Sequence, residues 1–227
     1  MKNYFTPFER GLWLGSCIVI LEAYAVFGGG SLMTLAASLV GVTSLIFSAK
    51  GNPIGQGLMI VFSVLYGIIS YSCRYYGEMA TYLGMTGPMA AAALISWLKN
   101  PYSGKHSEVR VGRVTLKELP LMLALTAGVT VLFYFILRYF GTARLMLSAF
   151  SVTTSFAAVY LTFRRSELFA LAYAANDAVL IALWALASAE DSRYISVAVC
   201  FVMFLANDTY GYISWRRMKH RQNFSKK

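Results

Sequence analysis

The sequence predicts an all-α integral membrane protein of eight transmembrane helices, built as one N-terminal helix and a parallel 3+1+3 repeat. Three observations carry this prediction. Of the 227 residues, 58% are hydrophobic and only 13% charged, whereas a soluble domain carries roughly 25% charged residues. Apolar stretches of bilayer-crossing length, roughly 17–25 residues, recur along the chain. The chain also matches itself at a single offset.

The spans follow from their polar breaks and are expected at 11–28, 32–48, 54–73, 80–98, 118–138, 145–163, 167–188 and 194–215. Gly28-Gly29-Gly30 closes the first and Lys50-Gly51-Asn52-Pro53 the second. Thr115 and Glu118 open the fifth at the spacing of a capping box, which satisfies orphan amides at a helix start. Gly141 and Arg144 close it. Leu14-Gly15-Ser16-Cys17 resembles a lipoprotein processing box, but the apolar stretch ahead of it is short and follows Glu9-Arg10. It reads instead as the start of the first span.

The formal charge of +10 fits this layout. With the N-terminus inside, all of the 20 Lys and Arg except Arg74, Arg138, Arg144 and Arg193 fall on one face of the membrane. Basic residues mark the cytoplasmic side, so both termini are expected there, and Glu78, Glu190 and Asp191 on the other side. The basic residues lie between apolar runs or in the tail and form no stripe on a folded face, so no nucleic-acid partner is expected.

Chemistry-bearing motifs are few. Cys17, Cys73 and Cys200 have no spacing for a disulfide frame or a zinc site. His106 and His220 are expected in loops without ligand partners, so no metal and no cofactor is predicted. The sequence has no phosphate-binding GxxxxGK[ST] loop, no HExxH, no DDxxD and no nucleophile beside a His. An enzyme is not expected.

At an offset of 118 residues, Ile95-Ser96-Trp97 falls on Ile213-Ser214-Trp215, Leu65-Tyr66 on Leu183-Trp184, and Ser70 on Ser188. The offset pairs spans two to four with spans six to eight and leaves span five as a connector. The expected organisation is 1–31, N-terminal segment and extra helix; 32–98, first three-helix unit; 99–144, cytoplasmic loop and connector; 145–217, second unit; 218–227, basic tail. Parallel repeats of this kind are a transporter architecture, with the solute site near the midplane.

Two polar pairs mark that site. Asn176-Asp177 and Asn207-Asp208 interrupt apolar runs, and each is followed by a tryptophan, Trp184 or Trp215, as Asn-Asp-x6-Trp. Positions seven apart share a helix face. Asp208, Tyr212 and Trp215 therefore share one face, and Asn207, Tyr210 and Ser214 its neighbour. A carboxylate at membrane depth costs about 2.5–3.5 kcal/mol on insertion scales, and is kept where it meets a wet cavity or a partner. The substrate-binding set is Asn176 and Asn207 as hydrogen-bond anchors, Asp177 and Asp208 as acceptors, and Phe169, Tyr173, Tyr66 and Trp184 as ring contacts, with Tyr210 beside them. Structural roles compete. The asparagines can glue helices together, Asp177 can cap a helix or pair with Arg164 or Arg165, and Trp97 and Trp215, next to basic residues at span ends, read as interfacial anchors. Glu22 is a further intramembrane acid, on the helix outside the repeat.

The 3+1+3 organisation, Asn176 in the penultimate span and Asn207-Asp208-Thr209-Tyr210-Gly211-Tyr212-Ile213-Ser214-Trp215 in the last resemble the PnuC family over about residues 32–217. The resemblance implies a SWEET-like transporter of a bacterial inner membrane that takes up a nucleoside-like vitamin precursor, nicotinamide riboside first. It also implies facilitated diffusion with alternating access, trapping by a cytosolic kinase, and a homotrimer. The chain departs from the pattern where nicotinamide riboside carriers have a Trp-rich run: those places hold Phe169 and Ala172. Their third core helix carries Gln and Asn where this chain has Met85-Thr86-Gly87-Pro88-Met89-Ala90. A deoxynucleoside or thiamine therefore stays open as substrate. So do a proton-coupled carrier and, outside transport, a membrane accessory subunit.

Overall fold

The computed structural model describes residues 4–27, 31–72, 76–142 and 144–224. The expected Gly28–Gly30 break, Cys73 and Arg74 lie outside them. Helices α1 (Pro7–Phe27), α2 (Leu32–Ala49), α3 (Ile54–Ser72), α6 (Leu119–Tyr139), α7 (Leu145–Phe163), α8 (Leu168–Ser188) and α9 (Ile195–Phe224) are apolar along most of their length. Among the described residues, seven helical segments are long and apolar enough to cross a membrane. Between α3 and α6 runs a helix in three pieces: α4 (Tyr76–Thr81), a π-helical turn (Tyr82–Thr86) and α5 (Gly87–Leu98). Pro88 explains part of this break, since it has no N–H to give the preceding turn.

Several boundaries differ from expectation. The fourth segment starts at Tyr76, so Glu78 is a buried helical residue and not part of an outer loop. The last helix runs 30 residues to Phe224, so His220 is helical, while His106 lies in a strand. The capping box expected at Thr115 and Glu118 does not form, because no side-chain bond caps the α6 amides. The Glu118 carboxylate is taken by Arg164 at 2.7 Å. A capping box forms instead at Thr6-Pro7-Phe8-Glu9, where the Glu9 amide donates to Thr6 Oγ1 (3.2 Å) and the Thr6 amide to Glu9 Oε2 (2.6 Å). Proline at the first helical position suits this start.

Six segments close a ring in chain order: α2 packs on α3, α3 on α5, α5 on α7, α7 on α8, α8 on α9, and α9 back on α2. The α9/α2 and α5/α7 contacts are the two seams between residues 32–98 and 145–217. Helix α1 lies against α2 and α9, whereas α6 packs mainly on α7. The side of the ring where Lys50, Arg164, Arg165 and the basic turns of α9 gather is hereafter the basic end.

There the seams are sealed in matching fashion. Trp97 Nε1 donates to the Thr162 carbonyl at 2.9 Å, and Ser96 Oγ to the Phe163 carbonyl at 2.9 Å. Trp215 Nε1 donates to the Ser48 carbonyl at 2.8 Å, and Ser214 Oγ to the Ala49 carbonyl at 2.7 Å. Each Ser-Trp pair thus bonds the last carbonyls of the helix across its seam, beside the backbone amides of the turn that follows it. Both indoles are 0% exposed and their rings lie 5.3 Å apart. They are not interfacial anchors: a buried carbonyl offers the indole N–H a stronger hold than lipid headgroups do.

A hairpin of β1 (Pro101–Tyr102) and β2 (Lys105–Val109) straps this end. Ser103 and Gly104 both have positive φ, the two-residue turn that suits the strand twist. The Val109 amide donates to the Gly51 carbonyl at 2.9 Å, and the Gly112 amide to the Arg165 carbonyl at 2.8 Å. Gly51 and Arg165, each in a left-handed conformation, end the turns after α2 and α7. The strap therefore touches both halves in the same way. Gly112 is required there, since a Cβ would stand 2.3 Å from the Arg164 carbonyl oxygen.

Candidate functional site

The polar residues of α8 and α9 lie near mid-depth and are almost wholly buried: Asn176 is 4% exposed, Asp177 3%, Asn207 1% and Asp208 4%. The structure divides them among three contacts. Asp177 and Asp208 reach each other across the α8/α9 contact. Asn176 accepts a hydrogen bond from Thr154 Oγ1 of α7 at 2.8 Å. Asn207 turns the other way, and its Nδ2 donates to Ser16 Oγ of α1 at 2.9 Å and to the Met203 carbonyl at 2.8 Å. Both asparagines do join helices, as the competing structural reading expected.

The Asp177–Asp208 pair is the chemically unusual part. Asp177 forms no bond to Arg164 or Arg165: Arg164 is held by Glu118 and Arg165 by Ser96 at 3.0 Å. Asp177 Oδ2 and Asn207 Oδ1 are buried acceptors without a hydrogen-bond partner among the described residues. Because the Met203 carbonyl can only accept, it fixes the Asn207 amide with its oxygen as the free atom. Among the described residues no Lys, Arg or His is buried, while Glu9, Glu78, Asp177 and Asp208 are. Facing carboxyls in such a medium are compensated by a shared proton or by positive charge that a ligand brings.

Aromatic rings surround the pair. Tyr82, in the π-helical turn, lies within electrostatic range of Asp177, Glu78 and Tyr173. Its ring stands 4.4 Å from that of Tyr66, which in turn lies 5.5 Å from Phe62. Tyr173 is near Asp208 and in hydrogen-bonding reach of Thr162. Trp184 packs against Tyr194 at 5.3 Å, on the side of the cluster away from the basic end. Phe169 belongs with the indoles instead, 4.8 Å from Trp215 and 6.3 Å from Trp97. Tyr210 is also apart, since its hydroxyl donates to Glu9 Oε1 at 2.8 Å. Glu22 is exposed on α1.

So Asp177, Asp208 and Tyr173 come together, with Tyr66 joined through Tyr82, while Asn176, Asn207, Tyr210 and Phe169 serve neighbouring contacts. Sequence reasoning missed Tyr82, Thr154, Ser16 and Glu78. Only the Gly87-Pro88 step, which foretells a broken helix, hinted at Tyr82. Outside the spans, Tyr4 has its phenol pushed up by burial, and the Arg193 guanidinium holds the exposed Asp191 carboxyl below its usual value. Neither bears on the cluster.

A ring of helices, one of them broken, around a buried carboxyl pair defines a multi-pass membrane transporter. Residues 31–217 match the model of the nicotinamide mononucleotide transporter family. The chain belongs to that family, PnuC. It is similar to the nicotinamide riboside transporter PnuC of Neisseria mucosa, at 29% identity over 96% of this chain and 84% of that one. It is also similar to the nicotinamide riboside transporter PnuC of Haemophilus influenzae, at 22% identity over 96% and 93%. The crystal structure of the vitamin B3 transporter PnuC shares the fold, with a TM-score of 0.82 and 24% identity over 96% of this chain and 94% of that one.

Proposed function

We propose that the protein takes up a nucleoside-like vitamin precursor, nicotinamide riboside first, by facilitated diffusion with alternating access between residues 32–98 and 145–217. The basic end faces the cytoplasm, where phosphorylation by a kinase traps the solute. The observation that carries the choice of substrate is the Asp177–Asp208 pair, buried without a compensating cation among the described residues. A ribosylated pyridinium brings a fixed positive charge to meet it, and Tyr66, Tyr82 and Tyr173 offer ring faces. The names of the relatives favour the same solute.

Thermal unfolding in detergent with nicotinamide riboside, thiamine or a neutral deoxynucleoside tests this reading. Stabilisation by nicotinamide riboside that Asp177→Asn abolishes is the expected result. Stabilisation by the neutral deoxynucleoside alone overturns the charge argument. Because the same two carboxyls could carry a proton, uptake into vesicles is measured with and without a pH gradient. Dependence on the gradient favours proton coupling over facilitated diffusion.

A further inference from the structure

The helix outside the expected repeat and the connector helix are matched at the basic end. Lys50, the C-cap of α2, binds Glu9 in the first turn of α1 at 3.1 Å. Arg164, the C-cap of α7, binds Glu118 at the start of α6 at 2.7 Å. Glu9 and Glu118 each stand three residues after a threonine, Thr6 and Thr115. Helices α1 and α6 thus hold equivalent places: each grips the first core helix of its own half and lies beside the seam to the other half.

Across the seam they differ. From α9, Tyr210 donates to Glu9 and Asn207 to Ser16, so α1 is bonded to both sides of the α2/α9 seam at two depths. Trp13 Nε1 adds a 3.0 Å bond to Thr43 of α2. At the offset of 118, Tyr210 corresponds to Ala92 and Asn207 to Met89, neither of which carries a polar side-chain group that could bond α6 in this way. Contact of α6 with α4 is mainly apolar, through Leu137 beside Gly77. The α5/α7 seam is held at the basic end by Ser96→Phe163, Trp97→Thr162 and Arg165→Ser96. Those side-chain bonds all meet at one dipeptide and can part in a single movement, and the strap bond beside them, Gly112→Arg165, has an equal at the other seam in Val109→Gly51.

We infer that Glu9 and Ser16 are positioning residues that fasten α9 to α2 through α1, which makes the α2/α9 seam the hinge and the α5/α7 seam the opening at the basic end. The inference rests on the transport reading above. It gives α1 a task in the cycle: a frame that would otherwise open symmetrically becomes a one-sided door. A static frame has no use for unequal seams.

Paired spin labels on exposed, matched positions test it in the full chain in lipid nanodiscs, in a background with Cys17, Cys73 and Cys200 replaced by Ser. Leu98→Cys with Leu168→Cys spans the α5/α7 seam, and Arg216→Cys with Ile54→Cys spans the α2/α9 seam. Distance distributions are recorded with and without nicotinamide riboside. A second population at Leu98/Leu168 with a single one at Arg216/Ile54 is expected, and Glu9→Gln with Ser16→Ala should split the latter. Equal changes at both pairs, a change at Arg216/Ile54 alone, or one population at each pair overturns the inference, as does an Arg216/Ile54 distance indifferent to the double substitution. The seams are read without solute too, so failure of nicotinamide riboside to bind, seen by thermal shift, counts against the proposed substrate and not against the hinge.

Discussion

The two seams of the ring are built from the same parts and fastened to different degrees. Each has a Ser-Trp pair reaching a helix end, a basic C-cap gripping a glutamate, and a strap amide on a left-handed turn. At α2/α9 there is also a helix bonded to both sides; at α5/α7 the corresponding helix leans mainly on one. Ser-Trp pairs 118 residues apart meet helix ends 114 residues apart to make similar joints, while a few polar side chains on a peripheral helix decide which joint yields.

The strongest way to break this comparison is steric. At Gly41 of α2 a Cβ would stand 2.4 Å from Phe204 Cζ of α9, with Phe62 at 3.1 Å. Since those rings are packed in the core, Gly41→Val should cost about 3 kcal/mol, read as a large fall in Tm in detergent. On α7 a buried valine, Val159, packs with Met85 and Phe156. Val159→Ala only leaves a small void there and should cost about 1–2 kcal/mol. Next come the indoles. Trp97→Phe and Trp215→Phe each remove an indole N–H from a carbonyl that keeps its backbone partner, and should each cost about 1 kcal/mol. Equal losses of Tm with a changed Leu98/Leu168 distance only in Trp97→Phe would sharpen the distinction between the seams. Glu9→Gln keeps an acceptor for Tyr210 but loses the charge facing Lys50, and should cost about 1 kcal/mol. Urea unfolding at low and high salt checks this, the gap between native and variant narrowing as salt rises. The smallest effect belongs off both seams: Arg144→Ala, breaking an exposed pair with Glu190, should change Tm by less than the equivalent of about 0.5 kcal/mol.

Much of this frame can be read in the sequence, because lipid leaves few options: a helix long enough to cross shows as an apolar run. The polar pairs were legible too, since Asp177 and Asp208 break such runs. Their neighbours were not. A tryptophan beside a basic residue looks the same whether it floats at an interface or bonds the next helix, so Trp97 and Trp215 read as anchors although Ser-Trp recurs at one offset. Ser16 and Glu9 meet Asn207 and Tyr210 across most of the chain, and no local pattern records such a meeting. Glu78 was misassigned because polar residues just before it read as a turn.

One dimension has a mechanical consequence. At 1.5 Å per residue the 30 residues of α9 extend about 45 Å, beyond a hydrocarbon core of roughly 30 Å. Its outer turns project from the basic end, with Gln222 bonded to the strap at Val109 and Val111. A stiff rod of that length is a pointer: a tilt of about 10° relative to α5 would carry its tip about 8 Å. A dye at Phe224 therefore magnifies sub-nanometre rearrangements at mid-depth into a signal that single-molecule fluorescence can follow in real time.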